Sequence, residues 1–268
     1  MTNYGFIEPK IESDHWVLGD QMPKEVLAPD GDWTKFVPPG EQQNISTETY
    51  NCTAFGTTNA VETYLFRKYG DTINLSDRAL GILAGTKKPG NDPHIVCEAL
   101  RHFGDCTEDV LPFQGQTTEE YFTPSPLPQS VLDECKKFTD KYDFNHEWVV
   151  LKDMQEDMKK QLIKEYLQYS PLGVALYAWQ GYNGLYYRTS PQDTHFCEMV
   201  GYKDGEYWIV YDSYPEDGVF FKKLHWDFGF NYIKRIYITK KPVVENQTNA
   251  LFVKLSELLK ILSSLLKK

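Results

Sequence analysis

A chain of 268 residues suffices for one large domain or for two subdomains around a shared cleft. Its formal net charge of −10, with no continuous basic patch, argues against a phosphate-backbone partner, so no nucleic acid is expected. No apolar run is long enough to span a bilayer, Met1–Pro9 lacks the basic-then-apolar pattern of a secretory signal, and the five cysteines follow no regular disulfide spacing. A reducing compartment, cytoplasmic or similar, is therefore the expectation, and the sequons at Asn44, Asn51, Asn74 and Asn246 read as chance matches.

Residues 1–45 are rich in Pro, Gly, Asp and Gln, with Trp16 and Trp33 as isolated aromatic anchors. Pro23, Pro29, Pro38 and Pro39 break any helix, so short extended pieces lying over a domain surface are predicted. A helix then begins near Cys52 and runs to about Tyr69, with Phe55, Ala60, Val61, Tyr64 and Leu65 on its buried face and Gly70 at its end. A second helix, Ser76–Ala84, starts at a good cap. After the turn-rich stretch Gly85–Asp92, Pro93 opens a third helix that Gly104 ends. Residues 114–130 read as a loop, Val131–Lys137 as helix, and Met154–Tyr169 as a charged amphipathic helix stopped by Ser170-Pro171.

Beyond it the period shifts. Leu172–Tyr177, Gly184–Arg188, His195–Tyr202, Glu206–Tyr211, Gly218–Lys222 and Tyr232–Thr239 are predicted strands, rich in Val, Tyr, Ile and Phe and divided by turn residues. Helices first and strands after make an α+β chain. Residues 241–248 read as a linker. In 249–268 the residues Leu251, Leu255, Leu258, Leu259, Leu262, Leu265 and Leu266 form one stripe of an amphipathic helix. That helix docks on protein, lies on a membrane surface or frays; the sequence leaves the three open.

Three scattered residues carry the chemistry. Cys52 stands at a helix N-terminus, where the positive end of the helix dipole lowers a thiol's pKa. His195 opens one predicted strand and Asp212 closes the next, so antiparallel pairing brings them together. An imidazole that takes a thiol proton, oriented by a polar group behind it, makes a nucleophilic thiolate. His94, Cys97, His102 and Cys106 are also zinc-ligand types, but their spacing matches no tight Cys-x-x-Cys knuckle, and neither a metal nor another cofactor is expected.

Cys52-Thr53-Ala54-Phe55 before a helix resembles the Cys-Trp-Ala-Phe nucleophile segment of papain-like cysteine peptidases. Asp212-Ser213-Tyr214 is similar to that family's Asn-Ser-Trp, and His195 through Gly201-Tyr202 resembles its histidine strand. His195 follows Cys52 by 143 residues, inside the roughly 130–150 of papain-type enzymes. Cys97–Gly104 with Pro112-Phe113, and Lys159–Tyr177, resemble two further stretches, so the likeness covers about residues 36–240 and fades near 114–150.

The resemblance implies a two-lobed fold, with a helical lobe at about 46–140, an antiparallel β-barrel-like lobe at about 145–240, and the active site in the cleft between them. It implies a peptidase acting on peptide or protein substrates through an acyl-enzyme. Cys52 is then the nucleophile, His195 the general base and acid, and Asp212 the residue that orients His195. Gln43 is the oxyanion donor and Gly90 the substrate-backbone contact. The departures are Asp212 for Asn, Thr53 and Tyr214 for two Trp, and Thr49 where the family has a disulfide cysteine. The arm is also too short for the family's folded inhibitory prosegment, so no zymogen of that type is expected. Two alternatives stand beside this reading: a non-catalytic papain-fold module anchored through residues 249–268, and a hydrolase of bacterial-wall peptide crosslinks.

Overall fold

The element on which the others pack is α1, Cys52–Tyr69, in which every residue from Cys52 to Leu65 is buried. The sequence reading gave it one buried face, but it is enclosed all round. Three of its polar side chains are paired: the Thr57 and Thr58 hydroxyls donate back to the Thr53 and Ala54 carbonyls, and Glu62 Oε1 accepts from Leu75 N at 2.6 Å; the Thr53 and Thr63 hydroxyls are buried without a hydrogen-bond partner. Gly70 ends the helix with φ at 69°, a conformation that costs glycine little. The computed structural model describes residues 3–13, 15 and 22–242; the expected C-terminal helix, most of the linker and Trp16 lie outside them.

α2 (Asp77–Leu83) is capped by Ser76, whose side chain accepts from Ala79 N. α3 (Pro93–Phe103) is capped by Asp92 and stops at Gly104. The predicted loop 114–130 holds a single turn, α4 (Thr118–Tyr121), closed by a reciprocal Thr117–Glu120 capping box. α5 (Gln129–Lys141) is longer than predicted and runs directly into β1 (Tyr142–Val150), a strand that the sequence reading missed. α6 (Glu156–Leu167) precedes β2 (Leu172–Leu176), β3 (Gly181–Tyr182), β4 (Leu185–Tyr186), β5 (His195–Lys203), β6 (Tyr207–Glu216), β7 (Val219–His225) and β8 (Tyr232–Lys240).

Among the described residues these strands form one sheet in the order β1-β8-β2-β5-β6-β7-β4-β3. All pairs are antiparallel except β4 with β7. The barrel-like lobe is thus an open sheet. No helix among the described residues is long and apolar enough to cross a membrane.

α1 lies directly on β5. A Cβ added at Gly56 would stand 2.8 Å from the Phe196 ring and 3.1 Å from the Cys197 Cα. Only glycine allows this approach, and it sets the distance between Cys52, one turn earlier, and the start of β5. Gly56→Ala is expected to cost about 1–3 kcal/mol through overpacking, read as a lower urea midpoint; an unchanged midpoint refutes the tight contact.

Glu198, also on β5, is fully buried, and burial pushes its carboxyl up to about 8. The folded chain therefore holds a proton that the unfolded chain has released above the ordinary carboxylate range. Stability is present below pH 4.5 and falls as pH rises toward 8. Glu198→Gln should remove this decline, gaining unfolding free energy over the wild type at pH 8 relative to pH 4. Equal slopes in the two proteins would show that Glu198 does not cause it.

Candidate active site

The β5–β6 pairing places Glu198 opposite Tyr211 and Lys203 opposite Tyr207, which brings the start of β5 beside the middle of β6. His195 Nε2 lies 2.5 Å from Asp212 Oδ1, and both side chains are fully buried. The predicted juxtaposition is present. A third residue joins it: Lys222 Nζ, on β7, donates to Asp212 Oδ2 at 2.8 Å and also to the Tyr214 carbonyl. Burial alone would push the Asp212 carboxyl up, but His195 and Lys222 outweigh it and hold the group below the ordinary carboxylate range. An ionised carboxylate only accepts, so Nε2 carries the proton toward Asp212. Nδ1 is left as the acceptor, buried and without a hydrogen-bond partner.

Cys52 packs in a small cluster with Phe6, Trp148, Ala175, Phe196 and Tyr232 and is fully buried. Burial pushes the thiol well above its ordinary range. Contacts with the Phe196 and Thr53 backbone pull it down, while the Asp212 and Glu48 carboxylates push it further up. The expectation of a thiol lowered by the helix dipole is corrected: in this arrangement desolvation exceeds the dipole's pull, and the sulfur is held as the thiol.

Part of that cover is the chain's own N-terminal segment. Tyr4 N donates to Thr194 O at 2.9 Å, and Tyr4's ring meets the His195 and Tyr214 rings edge-on at 5.6 and 5.0 Å. Phe6 is 2% exposed and pairs in parallel with Asn91: Asn91 N donates to Gly5 O and Ile7 N to Asn91 O, both at 2.9 Å. Gly5 passes so close that a Cβ there would stand 2.3 Å from Tyr50 O. The arm does not simply lie over a surface, as the sequence reading had it; its first described residues enter the site.

Gln43 is buried beside this segment. Its Nε2 lies 2.7 Å from the Tyr214 hydroxyl, 3.1 Å from Glu48 Oε1 and 3.2 Å from the Tyr4 carbonyl, while its Oε1 accepts from Ser213 Oγ at 2.7 Å. Gly90, with φ at 140°, faces Gly5: a Cβ at Gly90 would stand 2.0 Å from the Gly5 carbonyl oxygen. The zinc-type residues do not gather. His94 Nδ1 lies 3.1 Å from Lys234 Nζ, Cys97 packs by Thr57, and His102 stays with Glu98. Cys106 instead sits with Asp105 and Cys135, their donor atoms within 4.8 Å of one another, three donors where a closed zinc site uses four.

Sequence reasoning missed Lys222, Glu48 and Tyr4. A lysine in a predicted strand and residues in a polar arm carry no local signal of a site. Only the alternation along β7, which turns Lys222 to the same face as Leu224, hints that one of its charges is buried.

A model of the papain family cysteine proteases matches residues 32–219. No curated protein matches the sequence. Among solved structures, the chain is similar to xylellain, a cysteine protease from Xylella fastidiosa, with a TM-score of 0.62 and 17% identity over 90% of this chain and 97% of that one. It is also similar to digestive procathepsin L 3 of the Tenebrio molitor larval midgut, with a TM-score of 0.58 and 19% identity over 87% of this chain and 75% of that one. Such identities speak for the fold, and they agree with the α+β architecture described above. The match of the family model over most of the sequence carries the assignment further: the chain belongs to the papain family of cysteine proteases.

Proposed function

We propose that the chain is a cysteine peptidase that hydrolyses peptide bonds through a thioester acyl-enzyme. The observation that carries this reading is the His195 imidazole, whose Nε2 proton is committed to Asp212 while Nδ1 is buried and unpartnered at the end of the strand on which α1 rests. Nδ1 takes the Cys52 proton, and the sulfur attacks the substrate carbonyl carbon. The oxyanion is met by the Cys52 backbone N–H, one of the unpaired donors at a helix start, and by Gln43 Nε2. The imidazolium then protonates the leaving amine, and water, deprotonated by His195, releases the acyl group from sulfur.

Gln43 already donates to a peptide carbonyl, that of Tyr4, which supports its role. The pairing of Asn91 with residues 5–7 likewise supports the stretch from Gly90 as the ledge for an extended substrate backbone. Cys52→Ala is expected to lower peptide turnover about 10⁴-fold or more while leaving the urea midpoint near wild type. A variant that still cleaves peptides overturns the assignment of the nucleophile.

The buried thiol is the observation that favours a second reading, a non-catalytic module whose cleft is permanently filled. The two differ in what happens when the segment leaves. In the peptidase, removal of residues 1–9 raises alkylation of Cys52 by iodoacetamide, and peptide turnover with it. An opening cost of only ~1.4 kcal/mol already corresponds to about tenfold. A truncated chain with an accessible but sluggish Cys52 favours the module.

A further inference from the structure

Asp212 is a carboxylate with both oxygens engaged: Oδ1 meets His195 at 2.5 Å and Oδ2 receives Lys222 Nζ at 2.8 Å. We infer that Lys222 is a positioning residue of the peptidase site, which cancels the charge of Asp212 and locks its rotation, so that the Asp212–Lys222 pair acts on His195 as one neutral hydrogen-bond acceptor. The inference rests on the peptidase reading above and adds a member to its site.

Lys222 is 4% exposed, and neither it nor Asp212 could be held there singly as an ion without a large penalty. β7 pairs with β6 so that Lys222 stands opposite Val210, two residues before Asp212 and on the same face. The ammonium is fixed by the Asp212 carboxylate and the Tyr214 carbonyl, and its remaining flank lies over the Trp179 ring at 5.0 Å. Trp179 in turn stands edge-on to His195 at 5.6 Å, so the cation, its ring and the imidazole form one packed unit.

A neutral amide at position 212 would need no counter-charge, whereas a carboxylate leaves an excess negative charge against the imidazole. Lys222 supplies the missing positive charge on the oxygen that His195 does not use. The other ionisable groups around the unit are Tyr4 on the N-terminal segment, Glu48 before α1, Cys52 on α1, Tyr177 after β2, Tyr186 on β4, Cys197 on β5 and Tyr214 on β6. None of these contributes a second cation, so the balance at Asp212 depends on Lys222.

The test is the pH profile of Cys52 alkylation by iodoacetate in the full chain, followed by mass spectrometry. As an anion, this reagent needs the thiolate with the imidazolium beside it, so its rate rises and then falls with pH. Loss of the cation in Lys222→Met should move the profile to higher pH, by about one pH unit or more at the alkaline limb. Loss of the anion in Asp212→Asn should move it to lower pH, and Asp212→Asn/Lys222→Met should return it close to wild type. Lys222→Arg, which keeps the charge, should leave it in place.

A Lys222→Met profile that coincides with wild type, or a double variant no nearer to wild type than the single ones, overturns the inference. If Lys222→Met shows no cooperative unfolding, the comparison of Asp212→Asn with the double variant decides by the same criterion. If neither the full chain nor the chain lacking residues 1–9 shows such a profile or hydrolyses fluorescein-labelled casein, the peptidase reading is overturned, and this assignment with it. A casein-cleaving wild type whose profile ignores Lys222 overturns the assignment alone.

Discussion

The rest of the site depends on one requirement: the fully buried Asp212 carboxylate must have both oxygens paired. Its partners come from two neighbouring strands, His195 from β5 and Lys222 from β7, with Asp212 on β6 between them. A slip of one residue in either pairing would turn a partner to the opposite face and leave a buried charge alone. The register of the central sheet and the orientation of the imidazole are thus two consequences of one electrostatic constraint. Gly56 completes the arrangement from the other side, because the absence of a side chain there lets α1 settle onto β5 and carries Cys52 to the end of the strand that bears His195.

The chain's own N-terminal segment lies over the candidate site. Residues 4–7 pair with Asn91 through the backbone, present a peptide carbonyl to Gln43 and press Phe6 into the cluster around Cys52. An extended segment held by main-chain hydrogen bonds and one buried aromatic side chain is the kind of ligand that a peptide groove recognises. Phe6 supplies part of the cover over the thiol, and burial, more than any neighbouring charge, raises the thiol's pKa.

Helix starts and stops were legible because they rest on local chemistry. Ser76, Pro93, Gly70 and Gly104 all act where the sequence places them. The β5–β6 juxtaposition was legible too, since two strands joined by a short turn pair antiparallel, and it placed Asp212 at His195. What was not legible lies at long range. In β1, buried Phe144, His146 and Trp148 alternate with Asp143, Asn145 and Glu147, but the charges mask the pattern and Glu147 is buried against Arg235, far along the chain. The one-turn helix α4 rests on a single capping box inside a stretch of loop residues.

By itself, the sequence determined the main helices and the strands beyond Leu172, the cysteine at a helix N-terminus and the histidine and aspartate within reach of one another, because these follow from period, caps and turns over short distances. The tertiary structure alone decided that the sheet stays open, that Lys222 answers the charge of Asp212 and that Phe6 joins the cover over the thiol. Charge compensation and desolvation act through space between segments remote in sequence, and no local pattern encodes which remote segment a buried group will meet.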